Sequence, residues 1–252
     1  VSDACFMRPA WQDSIWTHIV ESEVDPVGTH RYSDLGYYAL QRIIEQITGQ
    51  PLDEFASSTF YSPAGWSSLG YSPTDRFETR EIAPTEEDTL FRKVVVRGEV
   101  HDPGAAMLNG VAGHAGLFSN AYDLARLMYM LRLGGYYGGT EFFKPSTIQR
   151  WVQRVDPDEE YRKACGFDRP AHEPDAGPTC NHASESSFGH SGFTGTLAWA
   201  DPDHDLIFVF LSNRTFPDAE NRKLIEWDVR TNIQREVYKA YAVPSRFESL
   251  KK

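Results

Sequence analysis

Long apolar runs and an excess of basic residues are both absent from the sequence. The longest apolar run, Leu206 to Leu211, has the length of a strand, whereas a membrane-spanning helix needs about 20 apolar residues. Lys and Arg number 25 against 36 Asp and Glu, which gives a net charge of -11. We therefore expect no membrane span, and the acidic balance argues against nucleic acid or anionic lipid as the main partner.

Cysteine is also scarce, with 3 residues at positions 5, 165 and 180. Their spacing does not match the paired-cysteine patterns of structural zinc sites. Cys165 and Cys180 share one polar stretch, so they either form a disulfide in an oxidising compartment or stay free thiols. The first residues show neither an initiator Met nor the basic and apolar parts of a signal peptide, so we expect a mature product or a piece of a longer protein.

What is present fits a globular protein, because 252 residues with 40% hydrophobic content can bury a sizeable core. Leu40, Ile43, Ile44 and Ile47 predict an amphipathic helix that begins at Ser33 or Asp34 as its cap and ends at Gly49. Further helices are predicted over 52–59, 147–154 and 228–241, and another begins at a cap at 119 or 120 and ends at Gly134. Residues 194–200 and 205–213 are predicted to form a hairpin. Residues 72–106 show no sustained period and are expected to be irregular.

The order of these elements predicts an α+β fold in which helices cover an antiparallel sheet. The second hairpin strand is apolar on both faces, so we expect it in the middle of that sheet. Trp151, Trp199 and Trp227 lie in helix or strand patterns and are expected in the core. Residues 156–187 are predicted to be a long polar loop and residues 243–252 a loose tail.

Three short stretches carry groups suited to catalysis. Tyr32-Ser33-Asp34 stands at a helix start, where a tyrosine beside a cation can serve as a general base. The second stretch is VHD at 100–102 followed by GVAGHAGLFS at 110–119, and the third is FGHSGFTGT at 188–196. His190 offers a titratable ring, and backbone N–H groups at a strand edge can stabilise an oxyanion.

Taken in this order over residues 30 to 240, the stretches resemble the serine β-lactamase and penicillin-binding-protein superfamily. The resemblance is to the branch of class C β-lactamases and D-Ala-D-Ala carboxypeptidases, with the third stretch in place of that branch's Lys-Thr-Gly strand. It implies a β-lactamase/transpeptidase-like fold and acyl transfer through a serine ester on a small-molecule or peptidoglycan-peptide substrate, without a cofactor. Residues 1–252 are then one partial serine hydrolase domain.

The resemblance also implies roles for individual residues. Tyr32 becomes the catalytic base or proton relay, and His190 is its catalytic partner on the strand. Substrate would be bound by Asp34, Ser191, Gly192 and Phe193, with the N–H of Phe193 as one oxyanion donor. Tyr32 and His190 are expected to face each other across one cleft.

Departures from the family pattern qualify these roles. Asp34 replaces an Asn and adds a negative charge, while His190 replaces a Lys and is only partly charged near neutral pH. Both changes suit an esterase, amidase or peptidase at least as well as a β-lactamase. No Ser-x-x-Lys precedes Tyr32, and Ser249-Leu-Lys-Lys lies in the charged tail. We therefore expect the N-terminal part of the domain, with its nucleophile, to be missing, and the chain alone to be inactive.

Residues 100–119 and 211–238 look most like serine-hydrolase domains that follow family 3 glycoside hydrolases in some Gram-negative bacteria. This resemblance implies a periplasmic or otherwise exported enzyme and an upstream segment or glycosidase domain as partner. The alternative function is a non-catalytic module that binds peptidoglycan peptides or docks on the glycosidase. A sheet without its first strands exposes an apolar edge, so we expect the isolated chain to dimerise, aggregate or retain a separate fragment.

His101, Asp102 and His114 suggest a metal triad at first sight. The two imidazoles lie thirteen residues apart without helical spacing, and no fourth ligand is evident. Hydrogen bonding within the loop is the preferred interpretation, so no metal site is predicted.

Overall fold

The structure of the chain is a computed structural model. The residues that it describes are 7, 8, 10–29, 31–155, 162–174, 176–243, 245 and 246. The chain divides into two compact units, Val1–Ser119 and Asn120–Lys252. The prediction of one domain over 1–252 stays a prediction.

Groups of helices and groups of strands follow one another along the chain, without the regular βαβ repeat of a parallel sheet. The helices are α1 (Trp11–Val20), α2 (Leu35–Thr48), α3 (Leu52–Ala56), α4 (Pro103–Met107), α5 (Ala121–Arg132), α6 (Pro145–Val152), α7 (Lys223–Glu226) and α8 (Val229–Ala240). The strands are β1 (Pro84–Asp88), β2 (Val94–Arg97), β3 (Tyr136–Tyr137), β4 (Thr140–Glu141), β5 (Phe188–Ser191), β6 (Leu197–Asp201) and β7 (Leu206–Phe210). No helix within the described residues has both the length and the apolar character needed to cross a membrane.

In the first unit, α2 begins and ends close to its predicted limits. Gly49 adopts a left-handed conformation at φ 68° and donates its N–H to Glu45 O, which ends the helix. Two elements differ from the prediction: α1 was not foreseen, and residues 72–106 are not irregular. That stretch contains the antiparallel pair of β1 and β2 and the short helix α4. The strand β1 carries acidic residues on both sides, so its pairing with β2 rather than an apolar pattern defines it.

In the second unit, β5, β6 and β7 form a three-stranded antiparallel sheet in that order. Leu197 pairs with Phe210 and Trp199 with Phe208, so these four side chains share one face. Val237 of α8 packs against this cluster, and α5 lies against β6 and β7. The predicted α+β arrangement of helices on an antiparallel sheet is therefore present.

The position predicted for the second hairpin strand is wrong. The central strand of this sheet is β6, and β7 pairs with it from one side. Within the described residues β7 is thus an edge strand of the sheet that β5, β6 and β7 form, and its apolar residues do not require a strand on each side.

Tryptophan burial follows the prediction only in part. Trp199 is 1% exposed, as expected of a core residue, whereas Trp151 is 40% and Trp227 is 64% exposed. Cys165 and Cys180 are both free thiols, while Cys5 lies outside the described residues. Positions 156–161 and 175 of the predicted loop, and 244 and 247–252 of the predicted tail, also lie outside them.

Candidate active site

The first predicted stretch, Tyr32-Ser33-Asp34, lies at the start of α2. Tyr32 is 67% exposed. The hydroxyl of Ser33 accepts the N–H of Leu35 at 3.2 Å. The side chain of Ser33 therefore binds the first backbone N–H of α2. Asp34 occupies the capping position but its carboxylate makes no capping hydrogen bond. Asp34 is therefore the N-cap residue by position, as predicted, but its carboxylate takes no part in the cap.

That carboxylate lies in a cluster with Asp102 and His114, to which Tyr38 also belongs. One ligand atom from each of Asp34, Asp102 and His114 lies within 4.8 Å of the other two. His114 Nε2 and Asp102 Oδ1 are 2.9 Å apart, and the ring of Tyr38 lies 4.4 Å from that of His114 between centroids. The cluster joins the first predicted stretch to the second.

The charges of this cluster act on one another. The hydrogen bond from His114 lowers the pKa of Asp102, and this effect and the Ala105 N–H outweigh burial, which raises it. Burial, with Asp102 and Asp34 nearby, raises the pKa of Tyr38 to about 12. The carboxylate of Asp102 therefore stays ionised and the phenol of Tyr38 stays protonated at neutral pH.

The metal triad that includes His101 does not form. His101 Nε2 instead pairs with Glu86 at 2.9 Å. Asp102 caps α4 by accepting the N–H of Ala105 at 2.7 Å while it also accepts from His114. Hydrogen bonding within the loop, which the sequence favoured, describes the contact of Asp102 with His114, whereas the partner of His101 lies on β1.

The glycine-rich loop 110–116 rests directly on α2. Gln41 accepts the N–H of Gly113 at 3.1 Å and donates to Val111 O at 3.2 Å. A Cβ added at Gly113 would lie 2.4 Å from Tyr37 O, so only glycine permits this approach without a shift of the backbone. The loop thereby fixes the first turns of the helix that carries Tyr32 and Asp34.

Gly113→Ala is expected to destabilise the chain by about 1–3 kcal/mol, because the new methyl group forces the loop away from α2. The measurement is denaturant-induced unfolding of the 252-residue chain. Gly36→Ala, on the helix that this loop contacts, is the matched control, because nothing lies within 4 Å of its added Cβ. That control should stabilise α2 by about 0.5–1 kcal/mol. If Gly113→Ala left the stability unchanged or raised it, the close contact between the loop and α2 would be contradicted.

A buried ion pair holds the residues that precede Asp102. Arg92 is 3% exposed, bonds Asp88 Oδ2 through Nε at 2.9 Å, and donates to Val100 O and His101 O. Burial by itself would raise the pKa of Asp88, but the backbone N–H groups of 90–92 and the guanidinium lower it to about 2. Arg92 was not among the predicted residues, because a single Arg in a charged stretch gives no signal of burial.

The third predicted stretch begins on β5 and continues into a tight turn. His190 is half-buried, and its Nδ1 lies 2.7 Å from Ser191 O. Gly192 donates its N–H to Thr196 O at 2.9 Å, and an added Cβ there would lie 2.3 Å from the Thr196 hydroxyl. Phe193 is 65% exposed at the tip of the turn. The stretch thus presents His190, Ser191 and the Phe193 backbone at one end of the sheet.

Two arginines that the sequence did not single out support this turn. The guanidinium of Arg214 lies 4.8 Å from the centre of the Phe193 ring, and Arg230 donates to Thr196 O at 2.8 Å. Burial lowers the pKa of Arg214, and burial followed by the charge of Arg214 lowers that of Arg230. On the other side of β5, the loop residue Asp168 exchanges backbone hydrogen bonds with Gly189.

The first and second stretches belong to the first unit, and the third belongs to the second unit. The predicted meeting of Tyr32 and His190 across one cleft stays a prediction. So do the substrate-binding roles of Asp34, Ser191, Gly192 and Phe193.

Comparison with known proteins places the chain in a family. The family model described as Beta-lactamase matches residues 8–231. The chain belongs to the β-lactamase family. Relatives in Salmonella paratyphi B and Salmonella newport, named as D-alanyl-D-alanine carboxypeptidases, are each 34% identical over 215 residues, which is 80% of this chain and 49% of theirs. This β-lactamase-family chain therefore spans about half the length of the curated relatives it matches.

Solved structures show the same fold. A penicillin-binding-protein homologue from Caulobacter crescentus has a TM-score of 0.56 at 20% identity and is covered over 61% of its length by 83% of this chain. Simvastatin synthase from Aspergillus terreus has a TM-score of 0.62 at 14% identity, with 93% of this chain and 64% of that one covered. The predicted β-lactamase/transpeptidase-like fold, with helices and antiparallel strands, is confirmed.

Proposed function

We propose that this chain is part of a serine hydrolase that transfers acyl groups through a serine ester. Its substrate is a cell-wall peptide, an amide or an ester. The observation that carries the proposal is the family match over residues 8–231, which includes all three stretches of catalytic character. The relatives named as D-alanyl-D-alanine carboxypeptidases favour a peptidoglycan peptide as the substrate.

Each chemical step is assigned to a residue of this chain where one is available. Tyr32 takes the proton from the attacking serine and returns it to the leaving group. His190 holds the phenolate form of Tyr32 and contacts the substrate, together with Asp34, Ser191 and Gly192. The N–H of Phe193 donates to the oxyanion. The exposure of Tyr32 and the position of His190 at a strand end support these roles, since both must reach a substrate.

The nucleophilic serine is proposed to lie in a Ser-x-x-Lys motif on a part of the longer protein outside this chain. The support is that the curated relatives extend well beyond the matched portion and that residues 1–31 contain no such motif. The protein is proposed to be periplasmic or otherwise exported, because a peptidoglycan substrate lies outside the cytoplasm. An upstream family 3 glycoside hydrolase domain is part of the same proposal and rests on the resemblance of residues 100–119 and 211–238.

A labelled penicillin or fluorophosphonate probe tests the proposal. We expect the longer protein to become labelled on one serine upstream of Tyr32, and the 252-residue chain to remain unlabelled because it lacks that nucleophile. Peptide mapping of the labelled protein identifies the serine. Absence of labelling in the longer protein would favour the alternative function, a module that binds peptidoglycan peptides without cleaving them.

A further inference from the structure

The helix α2 is amphipathic, but its apolar stripe faces outward. At about 100° per residue, Gly36, Leu40, Ile43 and Ile47 fall on one narrow face of the helix. Leu40 is 52%, Ile43 48% and Ile47 79% exposed, and α2 contains no buried residue. Amphipathic helices of globular proteins normally turn this stripe toward the core.

The opposite face of α2 is polar and is held by specific contacts. Gln41 binds the loop at Val111 and Gly113, and Glu45 Oε1 accepts both Gln41 Nε2 and the N–H of Leu52. Tyr38, on the same face, contacts His114, with the two rings tilted by 40°. Because these bonds fix the rotation of the helix about its axis, the outward position of the apolar stripe is a built feature of the fold.

The stripe has the shape of a helix-packing surface. Leu40, Ile43 and Ile47 follow one another at the spacing of one helical turn, over a length of about 10 Å. Gly36, at the N-terminal end, has nothing within 4 Å of an added Cβ. A glycine at this place lets the backbone of a covering element come close, and the aliphatic side chains would provide the apolar contact.

We propose that this α2 stripe is covered by a segment of the longer protein that lies outside this chain. The length of the relatives identifies this occupant, because about half of each curated relative lies outside the matched region. The inference rests on the proposed function for the existence of such a segment. It goes further by naming where that segment docks: on the same helix whose N-terminal end carries Tyr32 and Asp34.

Ile43→Glu, made both in the 252-residue chain and in the longer protein, tests the docking. In the short chain the substitution replaces an exposed side chain, so the midpoint of thermal unfolding should move by no more than about 2 °C. In the longer protein the charge would be buried against apolar groups, and the midpoint should fall by about 5–10 °C. Ile233→Glu is the matched control, since Ile233 is also a helical isoleucine and is 43% exposed. Its effect should be the same in both proteins.

Two results would overturn the inference. An equal shift for Ile43→Glu in both proteins would mean that the longer protein leaves the stripe uncovered. A short chain that sediments as a dimer and becomes a monomer with Ile43→Glu, with the longer protein unaffected, would assign the stripe to a second copy. The unfolding measurement does not depend on acylation. A longer protein that fails to label with penicillin therefore counts against the proposed function and leaves this test intact.

Discussion

Tyr32→Phe in the longer protein is expected to slow acylation by a labelled penicillin or fluorophosphonate by about 10²–10⁴-fold, the usual contribution of a positioned general base. The substitution removes one hydroxyl group and keeps the ring. Tyr32 is 67% exposed and lies ahead of the first helical residue of α2, so the fold should be unaffected. The rate is measured as the first-order appearance of label on the serine at saturating probe.

Tyr37→Phe provides the matched control for this prediction. Tyr37 lies in the first turn of α2, five residues after Tyr32, is 36% exposed, and loses the same hydroxyl group. Its variant should acylate within about twofold of the wild type, since surface substitutions have small effects. If Tyr32→Phe acylates as fast as Tyr37→Phe, Tyr32 is not the proton acceptor and the proposed mechanism fails.

His190 should respond differently from Tyr32. If His190 stabilises the phenolate of Tyr32, His190→Ala slows acylation and also moves its pH dependence toward higher pH, because the phenol then loses a cationic neighbour. His190→Lys places the family's usual residue at this position and should restore the rate. A pH profile unchanged in His190→Ala would separate His190 from the proton transfer.

The sequence predicts the parts of the fold whose signals are local. The helices α5 and α8 lie within one or two residues of their predicted limits, because apolar spacing and terminal residues such as Asn120 and Gly134 define them. The hairpin of β6 and β7 follows in the same way from two apolar runs around a turn. The strand β1 was missed because its residues are largely acidic, and only its pairing with β2 makes it a strand.

The contacts of the candidate site depend on long-range packing and could be predicted only in part. The pairing of Asp102 with His114 was anticipated as loop hydrogen bonding, but the addition of Asp34 and Tyr38 was not. Periodicity identifies the apolar face of α2 and cannot tell which face meets solvent. The outward direction becomes visible only once the bonds of Gln41 and Glu45 are known.

Asp201 is the residue whose replacement should cost the second unit most stability. It is fully buried at the end of β6. Its Oδ2 accepts from Ser184 N at 2.8 Å, His204 Nδ1 at 2.9 Å and Tyr238 OH at 2.7 Å, and its Oδ1 accepts from the Ser184 hydroxyl. One carboxylate thus ties together β6, the loop before β5 and helix α8.

Asp201→Asn is expected to destabilise the chain by about 2–4 kcal/mol. An amide has one acceptor oxygen, so its NH₂ group must point at donors that have no acceptor in its place. Hydrogen bonds to a charged group contribute about 1.5–3 kcal/mol each, and unsatisfied buried donors add to the loss. Denaturant unfolding monitored by tryptophan fluorescence measures the change, since Trp199 is buried two residues away on the same strand.

The effect of Asp201→Asn should depend on pH. Burial raises the pKa of Asp201, but the bonds from Ser184, His204 and Tyr238 outweigh burial and leave the pKa below its ordinary value. A lowered pKa means that the stabilisation is complete above the unfolded pKa of about 3.9 and is lost as pH falls through the folded pKa. The difference between wild type and variant should therefore be constant near neutral pH and shrink below about pH 4.

Asp205→Asn is the matched control, four residues along the same turn. Asp205 pairs with Arg132, and its own side chain is 80% exposed whereas that of Arg132 is 13% exposed. The backbone of Asp205 has a positive φ of 52°, a conformation that asparagine also adopts readily. Because an ion pair with an exposed partner contributes about 0–1 kcal/mol, the free energy of unfolding of Asp205→Asn should lie within that range of the wild-type value. The stability of this variant should still fall in acid as that of the wild type does. Equal destabilisation by both substitutions would show that loss of charge in the turn, rather than the buried bonds of Asp201, sets the stability. A loss confined to Asp201→Asn that disappears in acid identifies the buried carboxylate as the link between β6 and α8.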